Sequence, residues 1–318
     1  MDNQVISWLL EESEPSVRCR TLTELLDYPA DSAEVVAAKA AVSKCKNVER
    51  IFARRDGRGV FPAKPEYFGN WTTFIYLGAL AELGVTGDDP RVWPVVDWIL
   101  TPGDDADKHE YFMQKELAQY AYILDDANLG SCRQGGFLAT LVRLGYLDDP
   151  RVRRLVDVYI GKGRWDGGYL CKWKKSRHAG QEPKSCYSAT LPALWLYAAL
   201  PASYRSGEKY EALIEYFTGR DMLFSKLEPG KRIGWDGLAF NAGPSDILKI
   251  AYSMGKLGLG NIPQMKSVWD ILDAKPTVGG KYILERAETK KAILMDKQGE
   301  PSKWITLYVL LARKYRDG

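Results

Sequence analysis

No stretch of this 318-residue chain reaches the run of roughly eighteen apolar residues that a membrane-spanning helix needs, so no transmembrane span is expected. Nor is there an excess of one charge. The 44 basic and 41 acidic residues leave a net +3, too little to gather nucleic acid or anionic lipid. The opening residues, MDNQVISWLLEESEP, carry acids and no basic segment, so no secretory leader is expected and the cytoplasm is the anticipated location. Five cysteines form no CxxC pair and are odd in number, which argues for reduced thiols over a disulfide framework. No sustained two-residue alternation marks a sheet, and no glycine-rich phosphate loop is present.

What the chain does have is repetition. LGALAELGVTGDDPRVWPVVDWIL (77–100) and LATLVRLGYLDDPRVRRLVDVYI (138–160) are one unit written twice. An apolar helix ends at Gly84 or Gly145, and Asp-Asp-Pro-Arg-Val then restarts a second helix, with Asp as N-cap and Pro at the first helical position. ILKIAYSMGKLGLGNIPQMKSVWDIL (247–272) is a third copy, ending its first helix at Gly258. The interval from Gly145 to Gly258 is nearly twice that from Gly84 to Gly145, so a degenerate copy is expected between them. LPALWLYAALPASYRSGEKYEALIEYFTG (191–219) supplies it, with Pro201 in the glycine's place. Residues 16–42 read as an earlier pair and 302–315 as a closing helix. RRDGRGVF, GRWDGGYL and PTVGGKYI, three connecting loops, each put glycines before an aromatic.

The fold class is therefore all-α, a single repeat domain over 1–318 built from five or six helical hairpins. Such hairpins stack as an open solenoid or close into an α/α toroid. Closure is the expectation, because solenoid repeats of the HEAT type are shorter, about 40–47 residues, and lack long Gly-aromatic loops.

Counting back thirteen residues from the three glycines gives Trp71, Cys132 and Ser245, with Ser188 as the corresponding point before Pro201. These mark the first turns of the helices expected to line the ring. Helix N-termini carry partial positive charge, and aromatics, thiols and basic residues converge on them in sequence. Trp71, Tyr187 and Trp304 are thus expected to shape a pocket, and Arg133, Lys184 and Lys303 to meet an anionic head. Asp246 completes the expected ligand set. Asp166, Asp236 and Asp246 would be the carboxylates of a sugar-active toroid, although capping and turns explain them more simply. A thiolate site is a separate reading: Cys132, Cys171 and Cys186, with His178, offer a donor set suited to zinc.

The glycine–aromatic loop followed by an apolar helix resembles the α/α-toroid superfamily of protein prenyltransferase β subunits and squalene-type terpene cyclases, from about residue 16 onward. The resemblance implies a central cavity for a hydrophobic, isoprenoid-like molecule and, for an enzyme, transferase or cyclase chemistry. KSCYSAT is similar to the zinc-binding segment of the prenyltransferases, with Cys186 at the cysteine's place. Lys184 stands where that family has aspartate, and Lys303 and Trp304 stand where its late histidine falls. The Asp-x-Asp-Asp acid of the cyclases is missing, the nearest match being Asp104, Asp105 and Asp107 in another order. The alternative from a different class is a noncatalytic helical-repeat scaffold that binds a protein.

Overall fold

The computed structural model describes residues 3–57, 59–61, 71–101, 132–170, 180–228, 230–240, 243–287 and 296–317, without the side chains of Trp71, Thr72, Cys132 and Arg133. The fold is all-α. In chain order the helices are α1 (Asn3–Leu9), α2 (Pro15–Arg20, continued by a wider turn to Leu25), α3 (Ala33–Ser43), α4 (Lys46–Phe52), α5 (Trp71–Glu82) and α6 (Trp93–Leu100). They continue with α7 (Cys132–Arg143), α8 (Pro150–Gly161), α9 (Tyr187–Ala199), α10 (Glu208–Thr218), α11 (Asp246–Lys256), α12 (Lys266–Asp273) and α13 (Lys303–Asp317). Among the described residues, paired strands are confined to the hairpin β1 (Thr277–Val278) and β2 (Lys281–Tyr282) and to isolated bridges.

Two compact units divide the chain: Met1–Arg54, Gly78–Asp89 and Trp235–Gly318 form one, and Arg55–Leu77 and Pro90–Gly234 the other. In the second unit α7 packs along α9 and against α8, and in the first α11 packs along α13. Close approach of α7 to its neighbours depends on Gly135, where a Cβ would lie 2.3 Å from the Tyr159 hydroxyl.

The repeat is visible in how the helices stop. Two residues past the ends of α5, α7 and α11 come Gly84, Gly145 and Gly258, at φ 84°, 96° and 75°, each preceded by leucine. This left-handed residue lets the chain turn back onto the last helical turn, as when the Val85 amide donates to the Leu80 carbonyl at 3.0 Å and that of Leu259 to Met254 at 2.8 Å. Asp27 takes the same conformation after Leu26, at φ 55°, so the first hairpin belongs to the series although it lacks the glycine. Pro201 cannot adopt it, and the chain leaves α9 extended. The Asp-Asp-Pro restart is realised at α8, where the Asp149 carboxylate accepts from the Arg151 amide at 2.8 Å. After Asp89-Pro90 the chain makes turns first, and α6 starts only at Trp93.

The three Gly-aromatic loops form tight turns, each tied to the next helix through a first-turn threonine. Gly59 and Gly167, at φ 80° and 77°, and Gly279 and Gly280, at 57° and 74°, supply the left-handed positions. The aromatic that follows, Phe61, Tyr169 or Tyr282, is buried. A first-turn threonine then clasps its backbone: Thr73 Oγ1 donates to the Phe61 carbonyl (3.3 Å), while Thr190 and Thr306 accept from the Tyr169 and Tyr282 amides (both 2.9 Å). Tyr169 and Tyr282 also accept, through their carbonyls, the amides of Cys186 and Ser302 at 2.8 Å.

The first unit has a polar core of its own. Arg20 is buried over the Tyr308 ring and bonds Glu24, whose other oxygen accepts from the Tyr252 hydroxyl at 2.9 Å. Tyr308 donates to the buried Glu82. Burial alone would raise the Glu24 carboxyl, but the adjoining guanidinium outweighs it and holds it down at about 2.

Two glycines of similar φ separate backbone strain from close packing. In Gly167→Ala the new Cβ would lie 1.9 Å from the Ala212 carbonyl oxygen, whereas Gly258 faces open space. Gly167→Ala should cost more than about 3 kcal/mol and Gly258→Ala about 1 kcal/mol in urea denaturation. Equal losses would contradict the packing described.

Candidate functional site

The turn Arg164–Gly168 and the first turn of α9 build the site. Gly167 and Gly168 press the turn into α10 and the α9 entry: a Cβ on Gly168 would stand 2.5 Å from Ser185 Cβ and 2.6 Å from the Tyr216 ring. Asp166 fastens the turn to residue 185, accepting from the Ser185 hydroxyl at 2.5 Å and its amide at 2.9 Å. Burial would raise the Asp166 carboxyl, but these donors and the Gly168 amide outweigh it and keep it below the usual aspartate range. Tyr169 goes inward and stacks on Tyr159 with ring centres 4.6 Å apart. Trp165 is directed outward, 65% exposed.

Beside this turn lies a pocket of about 550 Å³, within the range of small-molecule sites. Its walls come from Trp165, Asp166, Lys184, Cys186, Tyr187, Ala212, Glu215, Tyr216, Arg220, Lys226, Leu227, Glu228, Lys231 and Ile233, among others. Tyr187 is buried edge-on to Phe217. The opposite wall is an irregular hairpin: the Ser225 amide donates to Lys231 and the Ile233 amide to Leu223, both at 2.8 Å. That pairing sets Lys226 and Leu227 at the edge of the pocket.

The charges around the pocket differ in how far they are committed. Glu228 and Lys231 pair at 2.7 Å, and Arg220 lies 3.6 Å over the Tyr216 ring while donating to that residue's carbonyl. Lys184 and Lys226 have no ion-pair or hydrogen-bond partner among the described residues. Two ammonium groups thus remain to meet an anion, against the exposed carboxylate of Glu215.

Of the residues anticipated from sequence, Lys184, Cys186 and Tyr187 meet in this pocket. Trp71, Cys132 and Arg133 stand in the first turns of α5 and α7, as the spacing required, but their side chains lie outside the described set. Cys171 and His178 also lie outside the described residues. Among the described residues no group of three or more His, Cys, Asp or Glu side chains is placed to hold a metal ion. No described helix is long and apolar enough to cross a membrane.

Asp246, Lys303 and Trp304 belong to the first unit. Asp246 accepts from the Trp235 amide at 3.1 Å, bracing a second Trp-Asp-Gly turn. Trp304 is fully buried and stacks on Phe240 with centres 4.6 Å apart. Lys303 is buried and donates to Glu11 at 2.8 Å and Ser13 at 3.1 Å. The serines at the helix starts differ. Ser302 caps α13 by accepting from the Ile305 amide at 3.1 Å, and Ser245 sits at the cap position of α11 without such a bond. Cys186, not Ser188, precedes the first residue of α9. Trp165, Arg220, Lys226, Leu227 and Ile233 were not anticipated. From sequence Asp166 is only one of three candidate carboxylates, with Asp236 and Asp246, and residues 220–233 match nothing in the repeat.

Comparison with protein-family models, curated proteins and solved structures gives no match for this chain.

Lys303 also faces two carboxyls besides Glu11. Burial, with the nearby charge of Asp296, pushes the Glu14 carboxyl up to about 7, and burial raises Asp296 as well despite its bond from Ser302. A raised carboxyl favours folding while protonated, so its contribution is complete below the ordinary value of 4.5 and is lost as pH rises through about 7. Glu14→Gln should therefore leave stability at pH 4 nearly unchanged and raise it at pH 8 by about 2 kcal/mol. Parallel pH profiles for the two proteins in urea denaturation would contradict this.

Proposed function

We propose that this chain is an α/α toroid of the prenyltransferase β-subunit and squalene-cyclase kind, binding a hydrophobic, isoprenoid-like small molecule with an anionic head. The observation that carries the reading is the pocket at the start of α9, where aromatic and aliphatic walls meet two uncommitted ammonium groups in about 550 Å³. An apolar body gains by leaving water against Tyr187, Tyr216 and Ile233, and a phosphate-like head gains charge-assisted bonds from Lys184 and Lys226. Ring closure is supported by the recurrent hairpin and by the side-by-side packing of α7 with α9 and of α11 with α13. The departures at Lys184, Lys303 and Trp304 from the zinc-binding pattern make this a reading of binding, with no catalytic group named.

Farnesyl diphosphate is a suitable probe, followed by isothermal titration. It should bind in the micromolar range, more tightly than farnesol, and the double variant Lys184→Ala/Lys226→Ala should weaken it about tenfold, or about 1.4 kcal/mol. No binding up to about 1 mM, together with no apolar species released from the purified protein by solvent, would contradict the reading.

A further inference from the structure

The rim of the pocket differs from its interior. Trp165 and Leu227 are 65% and 68% exposed, and Ile233 is also exposed, so three of the large apolar side chains open to solvent stand around one opening. Trp165 makes no ring or cation contact among the described residues. Single exposed apolar side chains are ordinary on a protein surface, but a cluster of them with tryptophan at its centre marks a contact surface for another chain. A small molecule held against Ile233 inside the pocket would leave Trp165 and Leu227 wet, whereas an extended polypeptide crossing the opening would cover them.

Charge narrows the occupant. Around the pocket cations outnumber carboxylates, and the two without partners among the described residues, Lys184 and Lys226, line the same pocket as the apolar cluster. A chain rich in lysine or arginine would face these ammonium groups, while an acidic one pairs with both. We propose that the partner of this pocket is an acidic polypeptide segment carrying a large apolar group, which enters the pocket while flanking carboxylates pair with Lys184 and Lys226 and the segment covers Trp165 and Leu227. This inference rests on the reading that the pocket takes an apolar group, and adds that the group is attached to a peptide.

The test uses the full chain and three fluorescein-labelled hexapeptides, EELFEE, KKLFKK and EEGGEE, in anisotropy titrations at low salt with farnesyl diphosphate as competitor. EELFEE is expected to bind, to be displaced by farnesyl diphosphate, and to lose about tenfold or more in Trp165→Ala and in Lys184→Glu/Lys226→Glu. The other two peptides are expected not to bind. These side chains are exposed, so the variants should keep the helical circular dichroism of the native protein, which is measured alongside. Failure of EELFEE to bind, or binding indifferent to both variants, overturns the inference. If farnesyl diphosphate binds and EELFEE does not displace it, the inference falls and the small-molecule reading stands. If neither probe binds, both fall.

Discussion

A hydroxyl in the first turn of a helix, bonded to the backbone of the aromatic that closes the preceding turn, is the contact on which the arrangement depends. It occurs as Thr73 with Phe61, Thr190 with Tyr169, and Thr306 with Tyr282. Each bond is buried, where an unmet amide or carbonyl costs about 1–3 kcal/mol, so the turn and the helix start are held together or both are disrupted. The glycines act for the same end. They let the turn bend left-handed and approach its neighbours, and the buried aromatic then directs the chain toward the next helix. In the second unit the clasp acts with the Asp166–Ser185 bonds to fix the start of α9 across the sixteen residues between Tyr169 and Cys186.

The same clasp yields different chemistry at each copy. Aligned through it, Cys186 and Tyr187 correspond to Ser302 and Lys303, and the amide of Ser245 makes the matching bond to Ala239 at 3.0 Å. In the first unit these positions are committed to the fold: Lys303 to Glu11 and Ser13, Asp246 to the Trp235 amide. In the second unit Tyr187 and Lys184 border open space, because the α10 helix and the hairpin that follows it leave a gap beside the turn. One repeat position thus serves as core in one place and as pocket wall in another, and burial and partners decide which.

Much of the fold was legible because its signals are local. The leucine-glycine helix ends need a left-handed residue, and spacing from them, and from Pro201 for α9, placed the starts of α5, α7, α9 and α11 within a residue. Asp27 was missed because aspartate takes the left-handed conformation without announcing it in sequence, and α6 began late because the capping turn of Asp89-Pro90 does not propagate directly into helix. The site was legible in part. Cys186, Tyr187 and Lys184 fall where the repeat predicts, but the facing wall, from Arg220 to Ile233, lies outside any repeat and is brought in by tertiary packing. Trp304 shows the converse limit: register marks a helix start, yet whether the side chain meets a cavity or Phe240 depends on a neighbour that register does not specify.

Amide hydrogen exchange on Thr190→Val tests the clasp most directly, since valine keeps the shape and removes the hydroxyl. In that variant the Tyr169 and Cys186 amides are expected to exchange at least about tenfold faster while those in the middle of α9 do not change, and the pocket to lose its ligand affinity. Unaltered protection at Tyr169 and Cys186 would contradict this.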